Sequence, residues 1–378
     1  MKQFAECVLP GHPDKICDRI ADALVDRAIA LHEDALVGIE VAIHRDHVFV
    51  DGRVAAPGAE SMDVDALVRE VLRESGFNAA FPPAPEKVTV LTDLCLGDFR
   101  PEEQLIRRIS DDQNIVTGFA EFNPAANHLP AAHFAAHAIA KRFDVARRNQ
   151  SDHFGPDGKV LVCVEQNRLT GVSFSVHHQA EVGTIEIIEF AKAVLAATIP
   201  DLQGVCLTSW DDGKTEVTVN GAGDFAVGGP EGDNGLSGKK LVVDAFGPGV
   251  PIGGGVLSGK DPHKIDRAAA LRARQIAKHL VVAGVAPRAL VHLAFVPGDD
   301  APRWTQILLG TDGSAPGQTI WTPADPTFAA RWLTGYDLTL NGTFRDFHLQ
   351  DICWRDLAAN GHFWNPKLPW ECWNPGGG

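Results

Sequence analysis

The sequence has no C-x-x-C pair among its seven cysteines (Cys7, Cys17, Cys95, Cys163, Cys206, Cys353 and Cys372), and their number is odd. That pattern argues against a disulfide framework or a zinc site and for free thiols in a reducing cytoplasm. No run of about 20 uninterrupted apolar residues is present, so no membrane-spanning helix is expected. The opening stretch, MKQFAECVLPGHPDK, lacks a basic segment followed by a long apolar run, and no signal peptide is expected. Cations are in deficit. The 34 Lys and Arg stand against 49 Asp and Glu, a formal net charge of -15. Such a chain repels nucleic acid and anionic membranes, so neither is an expected partner. Any local cluster of lysines is then a feature that needs a reason.

What is present is globular: 378 residues, 45% hydrophobic and 22% charged, enough for two or three domains with buried cores. Three segments read as helices. One starts at Pro13 and runs through Ile16, Ile20, Leu24 and Ala28. A second starts at Pro130 and runs to about Phe143. A third starts at Pro262, behind Asp261 as N-cap, and runs to about Ala283 with Gly284 just beyond. Each is followed by two alternating apolar runs with a turn between them. The pairs are LVGIEVAI and VFVDGRV, KVLVCVEQ and VSFSVHH, and ALVHLAFV and WTQILLG. The repeat predicts an α+β protein of three related domains. The expected division is residues 1–98, a connecting or lid segment at 99–111, then 112–225 and 226–374. For 97–112, a mobile lid and an ordinary surface connection are both open. The tail holds Trp354, Trp364, Trp370 and Trp373, expected to cover a core edge or an interface, and the terminal Pro-Gly-Gly-Gly is expected to be disordered.

Three clusters carry chemistry. Gly11-His12-Pro13-Asp14-Lys15 puts a histidine, a carboxylate and a lysine at a helix start, where free N–H groups attract anions. The lysine suits phosphate and the aspartate suits magnesium. Residues 228–240 form a glycine-rich stretch ending in Lys239-Lys240. Its glycines let backbone N–H groups approach a phosphate, although it is not the Walker pattern. Residues 253–266 bring Lys260, Lys264 and Asp266 to the third helix, where a first-turn lysine opposes the helix dipole unless an anion sits there. Together they predict a site for a magnesium-bound triphosphate. His133 and His137 lie four apart on a helix, but a packed or surface pair is the expected reading. His177-His178 point to opposite sides of a strand and are not expected to ligate together.

These motifs resemble those of the S-adenosylmethionine synthetase family. GHPDK, GGPxGDxGL with its following lysine pair, and GGGxxSGKDPxKxD carry the likeness, with Asp112-Gln113, PDGK at 156–159 and PWE at 369–371 in the same order. The resemblance implies three α+β domains related by a pseudo-threefold, and a homodimer, or a dimer of dimers, with sites between subunits. It implies attack of L-methionine sulfur on C5′ of ATP and hydrolysis of the released triphosphate, with two Mg2+ and K+. Carried over motif by motif, His12 would hydrogen-bond the leaving triphosphate. Asp14 and Asp266 would hold magnesium and Glu40 potassium. Lys15, Lys239, Lys240 and Lys260 would hold phosphates, and Asp157 and Lys159 would lie on the nucleotide. Phe225 would stack near adenine with Val256 beside the nucleotide. Asp233 and Lys264 would face methionine or the polyphosphate, and Asp112 the methionine end or the ribose.

The chain also departs from the family pattern. Its first hairpin ends Asp51-Gly52-Arg53 where the family has a glutamate that binds the methionine ammonium, and Arg53 cannot accept that hydrogen bond. Lys239 replaces an arginine and loses its fork. Asp224 and Asn114 replace an arginine and a glycine, and the lid is short. The changes gather at the amino-acid end. Alternatives are therefore an adenosyltransferase for a methionine analogue, a triphosphatase, or a non-catalytic partner subunit. Retention of His12, Asp14 and Asp266 speaks against the last.

Overall fold

The computed structural model describes residues 2–206, 213–314 and 318–372. Trp373 and the terminal Pro-Gly-Gly-Gly lie outside these. In chain order the strands are β1 (Lys2–Val8), β2 (Leu36–His44), β3 (His47–Ala55), β4 (Thr89–Gly97), β5 (Asn114–Glu121), β6 (Phe154–Glu165), β7 (Arg168–His178), β8 (Glu216–Val219), β9 (Gly235–Leu236), β10 (Arg288–Phe295), β11 (Trp304–Asp312) and β12 (Thr319–Pro323). The helices are α1 (Pro13–Leu31), α2 (Val64–Ser75), α3 (Pro101–Leu105), α4 (Ala131–Arg148), α5 (Thr184–Leu202), α6 (Leu241–Asp244), α7 (Ile265–Val282), α8 (Pro326–Leu333), α9 (Leu340–Asp346) and α10 (Trp354–Asn360).

The strands form three four-stranded sheets, ordered β1-β6-β7-β8, β4-β3-β2-β9 and β12-β11-β10-β5. Each centres on one of the expected hairpins, and each takes an antiparallel strand from a distant part of the chain. β1 joins β6, β9 joins β2 and β5 joins β10. This threefold pattern is broken at the other edge. β4 and β8 run parallel to their neighbours, whereas β12 is antiparallel to β11. α2 and α5 supply the crossovers that parallel pairing requires. The chain is thus α+β, with two mixed sheets and one antiparallel sheet packed with helices.

α1 and α7 run through the interior. Fifteen of the nineteen α1 residues are buried, including Asp14, Lys15, Asp18, Arg19 and Asp22. A helix so placed can keep charged side chains only if each is paired. Ile16, Ile20 and Leu24 pack with Val37, Ile39 and Val68, and this core continues through Leu271, Ile276 and Leu280 of α7 to Leu290 and Leu293 of β10. A second core joins Ile139 and Phe143 of α4 to Val160, Phe174 and Phe190. Trp354 and Trp370 close the first core, both 0% exposed, with the Arg267 guanidinium 4.2 Å over the Trp354 ring. The tail tryptophans among the described residues therefore cover a core, as expected.

Two helix boundaries differ from expectation. α4 continues past Phe143 to Arg148, where Asp144 pairs with both Arg147 and Arg148. α7 begins at Ile265, not Pro262, and its N-cap is Lys264 rather than Asp261. The Asp261 carboxylate is occupied elsewhere. It accepts from the Val37 and His263 amides and from Arg107, and the turn at 262–264 wraps around it.

Candidate active site

The GHPDK turn joins two sheets to α1. The Leu9 amide donates to the Gly158 carbonyl at 2.9 Å, so it lies against the PDGK stretch of β6. His12 is the α1 N-cap, and its Nδ1 accepts from the Asp14 amide at 3.2 Å. The ring proton therefore sits on Nε2. Burial, with Lys159 and Lys240 nearby, lowers the His12 pKa to about 3. His12 is a neutral N–H donor among cations, not a base.

Four aspartates, Asp14, Asp18, Asp22 and Asp26, stand four residues apart on one face of α1. Each holds a loop by its backbone. Asp14 accepts from the Leu236 amide at 3.0 Å, Asp18 from Gly238 at 2.7 Å, Asp22 from Gly259 at 2.9 Å, and Asp26 from Trp354 at 2.8 Å and Arg355 at 3.1 Å. Both glycine-rich loops are thereby fixed to one helix. They also touch each other. Gly238 has φ of +72°, and a Cβ there would lie 2.3 Å from Val256 Cγ1. Val256 is thus part of the seam between the loops. Asp157 fixes the first loop from the other side. Its carboxylate accepts from the Gly229 and Gly158 amides at 2.8 and 2.7 Å, and burial raises its pKa to about 6.

The lysines divide by partner. Lys240 meets Asp14 Oδ2 at 2.5 Å, and Lys239 lies 3.8 Å from Asp14 Oδ1. Burial pushes the Asp14 carboxyl up, but Lys240, the Leu236 amide and His12 together hold it below the ordinary value. Lys15 is 3% exposed, and its ammonium pairs with Asp18 at 2.9 Å and Asp244 at 2.6 Å. Burial would lower the Lys15 pKa, yet the two carboxylates hold it above the usual lysine range. Lys260 lies 4.0 Å from Glu40, whose other oxygen meets Ser237 Oγ at 2.6 Å. Lys264 caps α7 and pairs with Asp111, so it is not in the first helical turn. Asp266 is in that turn, accepts from Asn114 at 3.1 Å, and has its pKa raised by burial.

The expected residues thus fall into two groups. His12, Asp14, Lys159, Lys239 and Lys240 form one; Asp266, Lys260 and Lys264 form the other, with Asp111, which was not among the expected residues, paired to Lys264. Glu40, touching Ser237 and facing Lys260, lies between. Phe225 is half-buried with its ring 5.4 Å from that of His177, and its amide donates to His178 Nε2 at 3.1 Å. Asp233 and Asp112 are exposed, and the carboxylate of each accepts from the next residue's amide. His133 and His137 pack in the core, with ring centroids 4.5 Å apart. Sequence reasoning missed Asp18, Asp22 and Asp244. The aspartates at spacing four on an otherwise apolar helix face were the signal for the first two; Asp244 had none.

No group of three or more His, Cys, Asp or Glu occurs among the described residues, so no all-protein cage exists there. Single hard carboxylates are nevertheless what magnesium takes when phosphates and waters complete its shell. Gly255 lets the Asp266 carboxylate lie where a side chain would otherwise stand, since a Cβ there would sit 1.8 Å from Oδ1. Asp266 fits the ion; Asp14 would have to exchange its contact with Lys240 for it.

Family comparisons cover the same elements. Models of the S-adenosylmethionine synthetase N-terminal, central and C-terminal domains match residues 2–94, 108–225 and 227–372. The chain belongs to the S-adenosylmethionine synthetase family. It is 31% identical to the S-adenosylmethionine synthase of Clostridium botulinum over 97% of this chain and 95% of the relative. It is 33% identical to that of Thermus thermophilus, over 97% and 94%, and 33% identical to that of Petrotoga mobilis, over 97% and 95%. Its enzyme class is therefore that of a methionine adenosyltransferase. No helix among the described residues is long and apolar enough to cross a membrane.

Proposed function

We propose that the chain forms S-adenosylmethionine, phosphate and diphosphate from ATP, L-methionine and water. The observation that carries this reading is the neutral His12 donor set among Lys159, Lys240 and Asp14. A thioether needs no base to attack carbon. The barrier lies in the departure of a highly charged triphosphate, which fixed cations and N–H donors stabilise. Nearby thiols do not offer a competing nucleophile, since burial raises the Cys7 pKa to about 12. His12 Nε2 donates to the leaving oxygen, and Lys159, Lys239, Lys240 and Lys260 bind the phosphates. Phe225 and Val256 flank the nucleotide, with Asp157 bracing the loop beside it. Asp112, Asp233 and Lys264 orient methionine so that sulfur, C5′ and oxygen align.

Asp14 and Asp266 would hold two magnesium ions, and Glu40 with Ser237 one potassium ion. Bound magnesium supplies positive charge to the triphosphate. A homodimer, or a dimer of dimers, in which two copies complete each site is part of the same reading, supported by the family the chain belongs to. Segments 1–98, 112–225 and 226–374 are proposed as the domains, supported by the three matched spans, and the cytoplasm as the compartment, supported by the free cysteines.

The test is incubation with ATP, Mg2+, K+ and L-methionine, read by mass spectrometry with phosphate release. S-adenosylmethionine with phosphate is expected. Phosphate alone would point to a triphosphatase or another nucleophile, and neither product from folded protein would overturn the enzymatic reading.

A further inference from the structure

We infer that Arg53 and Glu103 are positioning residues that set the methionine end of the site by fastening the 99–112 segment to the sheet edge, an inference that rests on the proposed reaction. All five guanidinium hydrogens of Arg53 are used. Nε and Nη2 form a fork on the Glu103 carboxylate, both at 2.9 Å. Nη2 also donates to the Asp98 carbonyl at 2.7 Å, and Nη1 to those of Val54 at 3.1 Å and Cys95 at 3.2 Å. One side chain thus ties β3, the end of β4 and α3 together. Glu103 in turn accepts from the Arg100 amide at 2.7 Å, so the same carboxylate closes the start of α3. Only a planar fork satisfies this geometry; a lysine ammonium could replace one arm of it.

The fastening reaches the site through the rest of the segment. Arg107 donates to the Asp34 and Ala35 carbonyls and to Asp261, at 2.8, 3.0 and 3.0 Å. The Ser110 amide donates to the Asp299 carbonyl at 2.7 Å. Asp111 then pairs with Lys264, the N-cap of α7, two residues before Asp266. Neither Arg53 nor Glu103 is free to touch substrate. Their chemistry is spent on holding the backbone that delivers Asp111 and Asp112.

The test uses Arg53→Ala, Arg53→Lys, Glu103→Gln and the Arg53→Ala/Glu103→Gln pair in the full chain. Two readouts are taken: steady-state kinetics, and amide hydrogen exchange across 99–112. Arg53→Ala and Glu103→Gln should each raise the L-methionine KM about tenfold, and the pair should do little more, since both remove one interaction. Arg53→Lys should fall between. The ATP KM and hydrolysis of added inorganic triphosphate should stay within about twofold in all of them. Exchange should rise in 99–112 and not in α1. Unchanged exchange there, additive effects in the pair, or equal losses in both substrates' KM values would overturn the inference. If the wild type makes no S-adenosylmethionine, the proposed reaction fails on its own, and exchange still decides whether the fork holds the segment.

Discussion

The two ends of the site are built by different means. At the proposed phosphate end, Asp14, Asp18 and Asp22 are each at most 1% exposed, and each grips a backbone amide of a glycine-rich loop. At the proposed methionine end, Asp111 and Asp112 are exposed, and their segment is held by side-chain ion pairs. Buried carboxylates on amides tolerate almost no movement, because a group left without its partner loses solvation as well. Of the segment's ion pairs only Arg107–Asp261 is buried; Arg53–Glu103 and Lys264–Asp111 are partly exposed, and partly exposed pairs yield more easily. The phosphate end is therefore rigid and close to the family motifs. The methionine end is where the chain departs from them, with Arg53 turned into a structural clamp. Catalytic demand follows the same division, since fixed charge matters most at the leaving group.

The comparison predicts a graded set of responses. Removing the one neutral donor should hurt most: His12→Ala should cut kcat by about 100- to 1000-fold, while His12→Asn, which keeps an N–H, should lose less. Steady-state rates on folded protein check both. Equal losses would mean that His12 acts otherwise than as a donor. Next comes Asp22, which is buried against Arg267 and the Gly259 amide. Asp22→Ala leaves that guanidinium unpaired and should cost about 3–5 kcal/mol in denaturant unfolding. A cost under about 1 kcal/mol would contradict the picture of α1 as the rigid spine.

Asp157 gives a smaller and pH-dependent effect. Its folded pKa, raised to about 6, lies above the usual 3.8. The group therefore contributes stability below pH 3.8 that is lost as pH rises through 6. Asp157→Asn should flatten that part of the stability profile between pH 4 and 6.5; an unchanged slope would be contrary evidence. His12 has the opposite sign. Its folded pKa of about 3 lies below 6.5, so its contribution is present above pH 6.5 and lost as pH falls toward 3. The smallest effect belongs to the exposed side of the 99–112 segment. Arg108 is 63% exposed and 3.8 Å from Asp34. Arg108→Ala should change stability by about 0–1 kcal/mol, and a larger change would mean that surface pairs, too, hold the methionine end.

Much of this division was legible in the sequence. The three hairpins read correctly because alternation reports a half-buried sheet directly, and the three clusters stand out because each sets lysine beside glycine and aspartate in a chain poor in lysine. What was not legible depends on partners far along the chain. Nothing near β1 announces that it pairs with β6, and nothing near Lys15 announces Asp244. The lysine beside Asp14 pairs with a carboxylate 229 positions away. The start of α7 moved because the obvious cap, Asp261, is claimed by Val37 and Arg107. Arg53 read as a loss at the amino-acid end; its fork on Glu103 needed the fold to become visible.

The central claim is that one reaction consumes ATP and L-methionine and releases the whole triphosphate chain as two pieces. Phosphorus and proton NMR on a single mixture of the full chain, Mg2+, K+, ATP and limiting L-methionine tests it most directly. The account predicts S-adenosylmethionine, phosphate and diphosphate in equal amounts, halting when methionine is exhausted. Phosphate and diphosphate that continue to accumulate without S-adenosylmethionine, or the appearance of ADP, would contradict it.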